Sequence, residues 1–426
     1  MADNKNQEVF GSDIKRLPFK DLAKRIGPGL IATGIVIGPG AVTTAAMLGA
    51  NYGYALIWLI FPIIFMGITF MMTTNRLAII TGLPTIHAIK KYYGPVASGI
   101  VGIATFLACL FFTMGNISGT GAGMNLIFGL NWKVGSLIMI AIVLYCYFAK
   151  NVYSKVEKII TACIIVMILA FYITLVGVGG PDGGDLAKGL FEFKVPEGSL
   201  ATALAFISTN AAVTSGIYAT YLGKEKKWRK EDLFNGVMFT DALVHIISVV
   251  LISGAIILVG AIVLYPQGLA IQAPAQLAEM LVPIMGTAAK YIMGLALVGA
   301  GFSSLLANTQ RGMVLLGAGF DKNVGLETKF IRIGCLVCLV FAMCVCYSYG
   351  GSPTQLILMA NVATSIATPV GGFFILLLLW RKDINEGYKA PTGLRICMTI
   401  SYIFVLVMTV SALTNYIPKL IASLGL

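Results

Sequence analysis

The chain has 426 residues, of which 58% are hydrophobic and 11% charged, with a formal net charge of +12. This composition describes a polytopic membrane protein and leaves no soluble domain of useful size outside the spans. The basic excess does not indicate a nucleic-acid binder, because no basic stretch accompanies a soluble recognition module; it lies in loops, where it orients the chain and meets anionic lipid.

In chain order, residues 1–26 are polar and mixed in charge, and read as a cytoplasmic N-terminal tail and not as a cleaved signal peptide. Residues 27–50 are apolar enough to enter a bilayer, yet Gly38-Pro39-Gly40 sits in their middle. Proline removes one backbone donor and clashes with the preceding turn, so the spacing predicts a helix break at Pro39 and Gly40. Backbone groups freed at that depth must face protein, water or a ligand. Runs of about twenty apolar residues then give eleven spans, near 27–50, 54–80, 96–130, 133–149, 157–179, 200–222, 236–265, 287–318, 330–349, 355–380 and 394–417.

Lysine and arginine alternate from side to side along these spans. Lys15, Arg16, Lys20, Lys24 and Arg25 share a face with Lys90, Lys91, Lys150 and Lys155, with the Lys224–Lys230 loop, and with Lys322, Lys329, Arg381, Lys382 and Lys389. The opposite face has Lys133 and an acidic-leaning loop with Asp182, Asp185, Glu192 and Glu197. The positive-inside rule places the N-terminus in the cytoplasm and the C-terminus outside the plasma (inner) membrane. All eight cysteines (Cys109, Cys146, Cys163, Cys335, Cys338, Cys344, Cys346, Cys397) fall in or at the edge of apolar spans, and read as small buried hydrophobes without disulfides.

The sixth span carries Ser208, Thr209, Asn210, Thr214 and Ser215 near its middle, a cluster that is costly unless it faces a cavity or partner helices. Spans one and six each open a block of five, and a five-span block reverses its topology when repeated. Interrupted helices at matching positions of two halves are the mark of inverted-repeat transporters. The expected architecture is therefore an all-α membrane protein with a 5+5 inverted repeat and one extra helix. Repeat one covers about 27–179, repeat two about 200–380, and the extra helix about 394–417, all within a single transporter domain, 27–426.

These residues resemble the Nramp family of divalent-metal transporters, built on the LeuT-type fold. The likeness runs from about residue 20 to 417. Its landmarks are Gly27-Pro28-Gly29, the break at 38–41, Gly49-Ala50 with Tyr52-Gly53, Asn125 to Gly129, Gly216-Ile217-Tyr218, Asp241, and Gly301-Phe302-Ser303-Ser304. The departures fall on the chemistry. The family's Asp-Pro-Gly-Asn reads Gly38 and Ala41 at its two ligand positions. Its Met-Pro-His reads Val213-Thr214-Ser215, with Thr220 where a second histidine often lies. Its helix-three acids read Thr113 and Asn116, and its helix-ten glutamine reads Asn361. A soft thioether that favours transition metals is thus missing, and so are the titratable groups of the family's proton path: Thr113, Asn116 and Ser215 are lost proton-pathway positions. Of the remaining titratable residues, Glu157 reads as a partner of loop lysines. Asp241 and His245 share one face of span seven, where Asp241 matches a structural position of the family.

The resemblance extends to a divergent branch, the Nramp-related magnesium transporters. It implies a carrier of Mg2+, partly hydrated, and of Mn2+, working by alternating access without proton coupling. Mg2+ sheds water reluctantly, so the expected metal pocket is one widened by small residues and lined by Gly38, Ala41, Thr43, Thr44, Ser208, Thr209, Asn210, Val213 and Asn361. The alternative is a scaffold that has lost its metal site and carries a non-metal solute, an amino acid or other organic acid, drawn by the positive ends of half-helices. A non-transporting receptor is a third possibility. No nucleotide motif, cofactor motif or nucleophile–histidine set supports an enzyme, and only His87 and His245 are present.

Overall fold

The computed structural model describes residues 11, 13–148, 152–350, 352–389 and 391–415, and describes no side chains for 152–164, 366, 367 and 415. The expectations for Lys150, Lys155, Glu157 and Cys163 lie outside the described residues. Thirteen helices carry the fold: α1 (Pro28–Val36), α2 (Pro39–Tyr52), α3 (Ile60–Thr81), α4 (Thr85–Phe128), α5 (Trp132–Phe148), α6 (Val152–Gly177) and α7 (Leu200–Asn210) come first. They are followed by α8 (Val213–Glu225), α9 (Val237–Val263), α10 (Ala289–Gly319), α11 (Lys329–Ser348), α12 (Pro353–Trp380) and α13 (Thr392–Asn415).

The protein is a multi-pass membrane protein. Among the described residues eight helices are long and apolar enough to cross a bilayer, and nine if the bent pair α1–α2 is one span; α5 and the described part of α6 are apolar but shorter. Burial separates the inner helices from the outer ones. The hydropathic window of the α7–α8 span is 83% buried, against 33% for α11 and for α13. The outer helices present Leu137, Ile142, Val337, Phe341, Val407 and Val410 to lipid.

Small residues let the inner helices approach to backbone contact, the expected packing where lipid is as apolar as the interface. A Cβ on Gly102 of α4 would lie 2.8 Å from Cα of Gly319 in α10, and one on Gly49 of α2 would lie 2.0 Å from the Ile257 carbonyl in α9. The long α4 is bent where Gly94 takes φ 88°, a left-handed conformation that favours glycine, immediately before Pro95. On the face that carries the N-terminus, a short helix, Phe19–Arg25, docks on the loop before α9. Arg25 pairs with Asp232 at 2.5 Å, and Trp228 donates to the Arg25 carbonyl at 3.0 Å. All described cysteines are free, but not all are buried: Cys344 is exposed and Cys397 intermediate, because α11 and α13 face outward.

Candidate functional site

Two helix interruptions meet at mid-depth, and they arise differently. At the first, Pro39 drives the preceding residue out of the helical region, so Gly38 is extended (φ −115°, ψ −179°) and α1 and α2 diverge by 65°. Any residue tolerates that backbone; glycine at 38 is required instead by crowding. A Cβ there would lie 2.6 Å from Asn116 Oδ1 and 2.8 Å from Ser304 Oγ. The second interruption, at Ala211–Ala212, contains neither proline nor glycine. It follows three residues whose side chains return to the preceding turn: Thr209 donates to the Ala205 carbonyl, Asn210 Nδ2 to the Phe206 carbonyl, and Ser208 shares its one proton between the Ala205 carbonyl at 3.1 Å and a closer partner on α12. Such back-bonding bends helices.

The structure fills the pocket that sequence reasoning left open. Where Gly38 and Gly40 have no side chain, Asn116 and Asn361 occupy the space, a Cβ on Gly40 falling 2.8 Å from Asn361 Oδ1. The site in this form is closed and not widened. Helix α2 packs along α7, but Asn210 and Val213 turn to other neighbours. Asn210 Oδ1 accepts from Ser253 of α9 at 3.2 Å, and Val213 packs against Gly371 and Gly372 of α12. Thr44 donates to the Gly40 carbonyl at 2.8 Å, and Ala41 is buried beside the break. Ser208 donates to the Asn361 carbonyl at 2.7 Å, which ties the second break to the residue that faces the first.

Several buried polar atoms at the first break have no hydrogen-bond partner: the oxygens Asn116 Oδ1, Asn361 Oδ1 and Thr43 Oγ1, and the Asn361 Nδ2 donor. Asn116 spends only its Nδ2 group, on Ser304 Oγ at 2.7 Å, and Ser304 in turn donates to the Ile35 carbonyl. Orphaned buried acceptors are uncommon in native interiors and call for an occupant or a function. They are neutral oxygen donors, the ligand class of hard cations. Among the described residues no three His, Cys, Asp or Glu side chains cluster as metal ligands.

The remaining site positions form a network around a cation that sequence reasoning passed over. Asn308 donates to Thr113 Oγ1 at 2.9 Å and to the Cys109 carbonyl at 2.7 Å. Arg311 donates to Asn308 Oδ1 and, at 3.3 Å, to Ser215 Oγ. Arg311 stands inside the predicted eighth span, and a charge within an apolar run was the available signal. A small cavity of about 10 Å³ touches Val36, Ser208, Thr209, Thr214, Thr364 and Arg311. A larger one, about 150 Å³, lies toward the N-terminal face between Asn75, Pro84, Thr220 and Trp228, away from both breaks.

Asp241 and His245 have structural partners. The Asp241 carboxylate accepts from the Gly27 and Gly29 amides, both at 2.8 Å, and His245 Nδ1 shares a hydrogen bond with Thr33 Oγ1 at 2.8 Å. A Cβ on Gly29 would lie 2.3 Å from the Asp241 carbonyl, which accounts for the second glycine of Gly27-Pro28-Gly29.

The model of the natural resistance-associated macrophage protein-like (Nramp) family matches residues 29–415. The chain belongs to this family. Among Nramp relatives, the divalent metal cation transporter MntH of Brucella suis biovar 1 is 23% identical over 388 residues, covering 88% of this chain and 84% of that one. MntH of Agrobacterium fabrum is 24% identical over 413 residues, covering 93% and 88%. A crystal structure of an Eremococcus coleocola manganese transporter superimposes with a TM-score of 0.73 at 16% identity, over 94% of this chain and 90% of the other. MhsT in complex with L-phenylalanine gives 0.59 at 15% identity, over 90% and 98%. The chain therefore has the Nramp fold, with its LeuT-like kinship.

Proposed function

We propose that this Nramp protein carries divalent metal cations across the membrane by alternating access, chiefly Mg2+ and also Mn2+, without moving protons. The chain is a transporter and not an enzyme. Its relatives named as divalent metal cation transporters support the cation class. The observation that carries the metal preference is the set of orphaned neutral oxygens, Asn116 Oδ1, Asn361 Oδ1 and Thr43 Oγ1, around the first break. Hard oxygen ligands without carboxylate or thioether suit Mg2+, which keeps part of its water, better than a soft transition metal. In an open form these groups, with carbonyls at Gly38 and Gly40 and the hydroxyls of Ser208 and Thr209, would contact the hydrated ion. Such a site binds weakly, and the membrane potential drives uptake.

Proton independence rests on the side chains that replace titratable ones. Thr113, Asn116 and Ser215 carry no exchangeable charge at physiological pH, and an arginine stays protonated. The basic face that includes Arg25 and the Lys224–Lys230 loop supports a cytoplasmic N-terminus in the plasma (inner) membrane.

Asn116→Leu and Asn361→Leu each remove one orphaned oxygen and are expected to raise the KM for Mg2+ on the order of tenfold, about 1.4 kcal/mol per lost ligand. Initial uptake rates against Mg2+ concentration check this, and an unchanged KM in both variants counts against the site. A second reading, transport of an organic acid, is favoured by one observation: the buried Arg311 beside the second break. Competition of Mg2+ uptake by amino and carboxylic acids separates the two.

A further inference from the structure

Arg311 is 4% exposed, in the interior of a membrane-spanning helix. A cation at that depth ordinarily pairs with an acidic group. Here Nη1 reaches Ser215 Oγ and Nη2 Asn308 Oδ1, the Cys109 thiol lies beside the guanidinium, all of them neutral, and Nε has no partner. None of the described ion pairs includes it; they join loops and helix ends, and of their acids only Asp232, paired with Arg25, is buried. The charge is uncompensated.

A second, independent feature faces the same place. Helix α8 runs for 13 residues and begins at Val213, and no side chain caps its first turn. Its first amides, apart from that of Ser215, which donates to the Ala212 carbonyl at 3.0 Å, and the positive end of its dipole therefore point into the break. Ala212, just before α8, and Thr214 of its first turn line one cavity with Arg311, together with Ser208, Thr209 and Thr368. None of these neighbours is acidic.

We propose that this cavity is an anion site, in which a monoanion accepts from Arg311 Nε and from the first turn of α8. The volume of about 10 Å³ holds one water-sized occupant. A halide, somewhat larger than water, is the smallest common monoanion and enters the closed form if the lining gives slightly, and a carboxylate group is the same chemistry on a larger solute. Val36 at the end of α1 also borders this cavity, so the bound anion cancels the Arg311 field next to the first break, where that field opposes a metal cation. The proposal does not rest on the Mg2+ reading, and its test reads binding without transport.

The full chain in lipid nanodiscs is unfolded thermally in sodium chloride, bromide, acetate or gluconate at equal ionic strength. The expected result is a Tm that rises with halide concentration relative to gluconate, as linkage requires of a ligand bound by the native state. The rise is lost in Arg311→Gln and reduced in Arg311→Lys. Crystals of the unaltered chain soaked in bromide give an anomalous peak beside Arg311 Nε, a readout that stands even if the glutamine variant does not fold. A rise with acetate alone that needs Arg311 keeps the anion site and assigns it to a carboxylate-bearing solute. Equal Tm values in all four salts with no bromide peak overturn the proposal, as does a halide effect that survives intact in Arg311→Gln.

Discussion

Replacing Asp241 by alanine is expected to remove most of the folded protein. The carboxylate accepts both amides that flank Pro28, Gly27 at Oδ1 and Gly29 at Oδ2, each at 2.8 Å. Proline has no N–H of its own, so a single side chain of α9 satisfies the donors at the start of α1. Its negative charge also sits at the positive end of that helix. Alanine leaves these donors without an acceptor, at about 1–3 kcal/mol each. The sum, about 2–6 kcal/mol, is a large part of the roughly 5–15 kcal/mol that holds a typical domain. Asp241→Asn keeps the shape and one acceptor oxygen, and is expected to fall between. Yield of monodisperse protein and its Tm decide the matter. Normal abundance and Tm in Asp241→Ala, with a changed pH dependence of transport, would make the residue a proton carrier and sink the clamp.

A single methyl group at Gly119 is expected to disable transport. A Cβ there would lie 2.0 Å from Pro39 Cβ and 2.8 Å from Pro39 Cγ. The proline ring cannot rotate away, and Gly301 also lies close to it, since a Cβ there would fall 3.0 Å from Pro39 Cγ. Overpacking of this kind costs about 1–3 kcal/mol, and the strain falls on the residue that breaks span one. The expected result for Gly119→Ala is a lowered Tm with uptake reduced at least about tenfold, since 1.4 kcal/mol is a factor of ten. Gly34→Ala is the matched control. Nothing lies within 4 Å of its Cβ position, so it is expected to leave uptake intact and to stabilise α1 by up to about 1 kcal/mol. Wild-type uptake in Gly119→Ala would show that the break does not need its present position.

The fold was largely legible because lipid imposes long apolar runs and Pro39 announces its own break. Among the described residues, eight helices, or nine with the bent pair α1–α2, are long and apolar enough to span, and α5 and α6 are shorter apolar helices in two more of the predicted intervals. The second break was legible only through its symmetry with the first, since Ala211 and Ala212 carry no breaking signal and the cause is hydrogen bonding by Ser208, Thr209 and Asn210. The site was less legible. Sequence position identifies Gly38 and Gly40 as small, but not that Asn116 and Asn361 fill the space beside them. Nor does it say that Asn210 turns to Ser253. Arg311 was visible as a charge inside a span, yet reading basic residues as markers of loops passed over it. Side-chain direction depends on tertiary packing, and an uninterrupted apolar pattern leaves that undetermined.

The most direct test of the account is uptake of Mg2+ and Mn2+ into proteoliposomes that hold the purified chain, under a negative-inside potential, with internal pH recorded in parallel. The expected result is saturable uptake of Mg2+, with Mn2+ also carried, and an internal pH that stays level while the ions enter. Acidification that tracks metal entry would contradict proton independence. Uptake no greater than in empty liposomes, from protein shown to be folded, would contradict the cation reading itself.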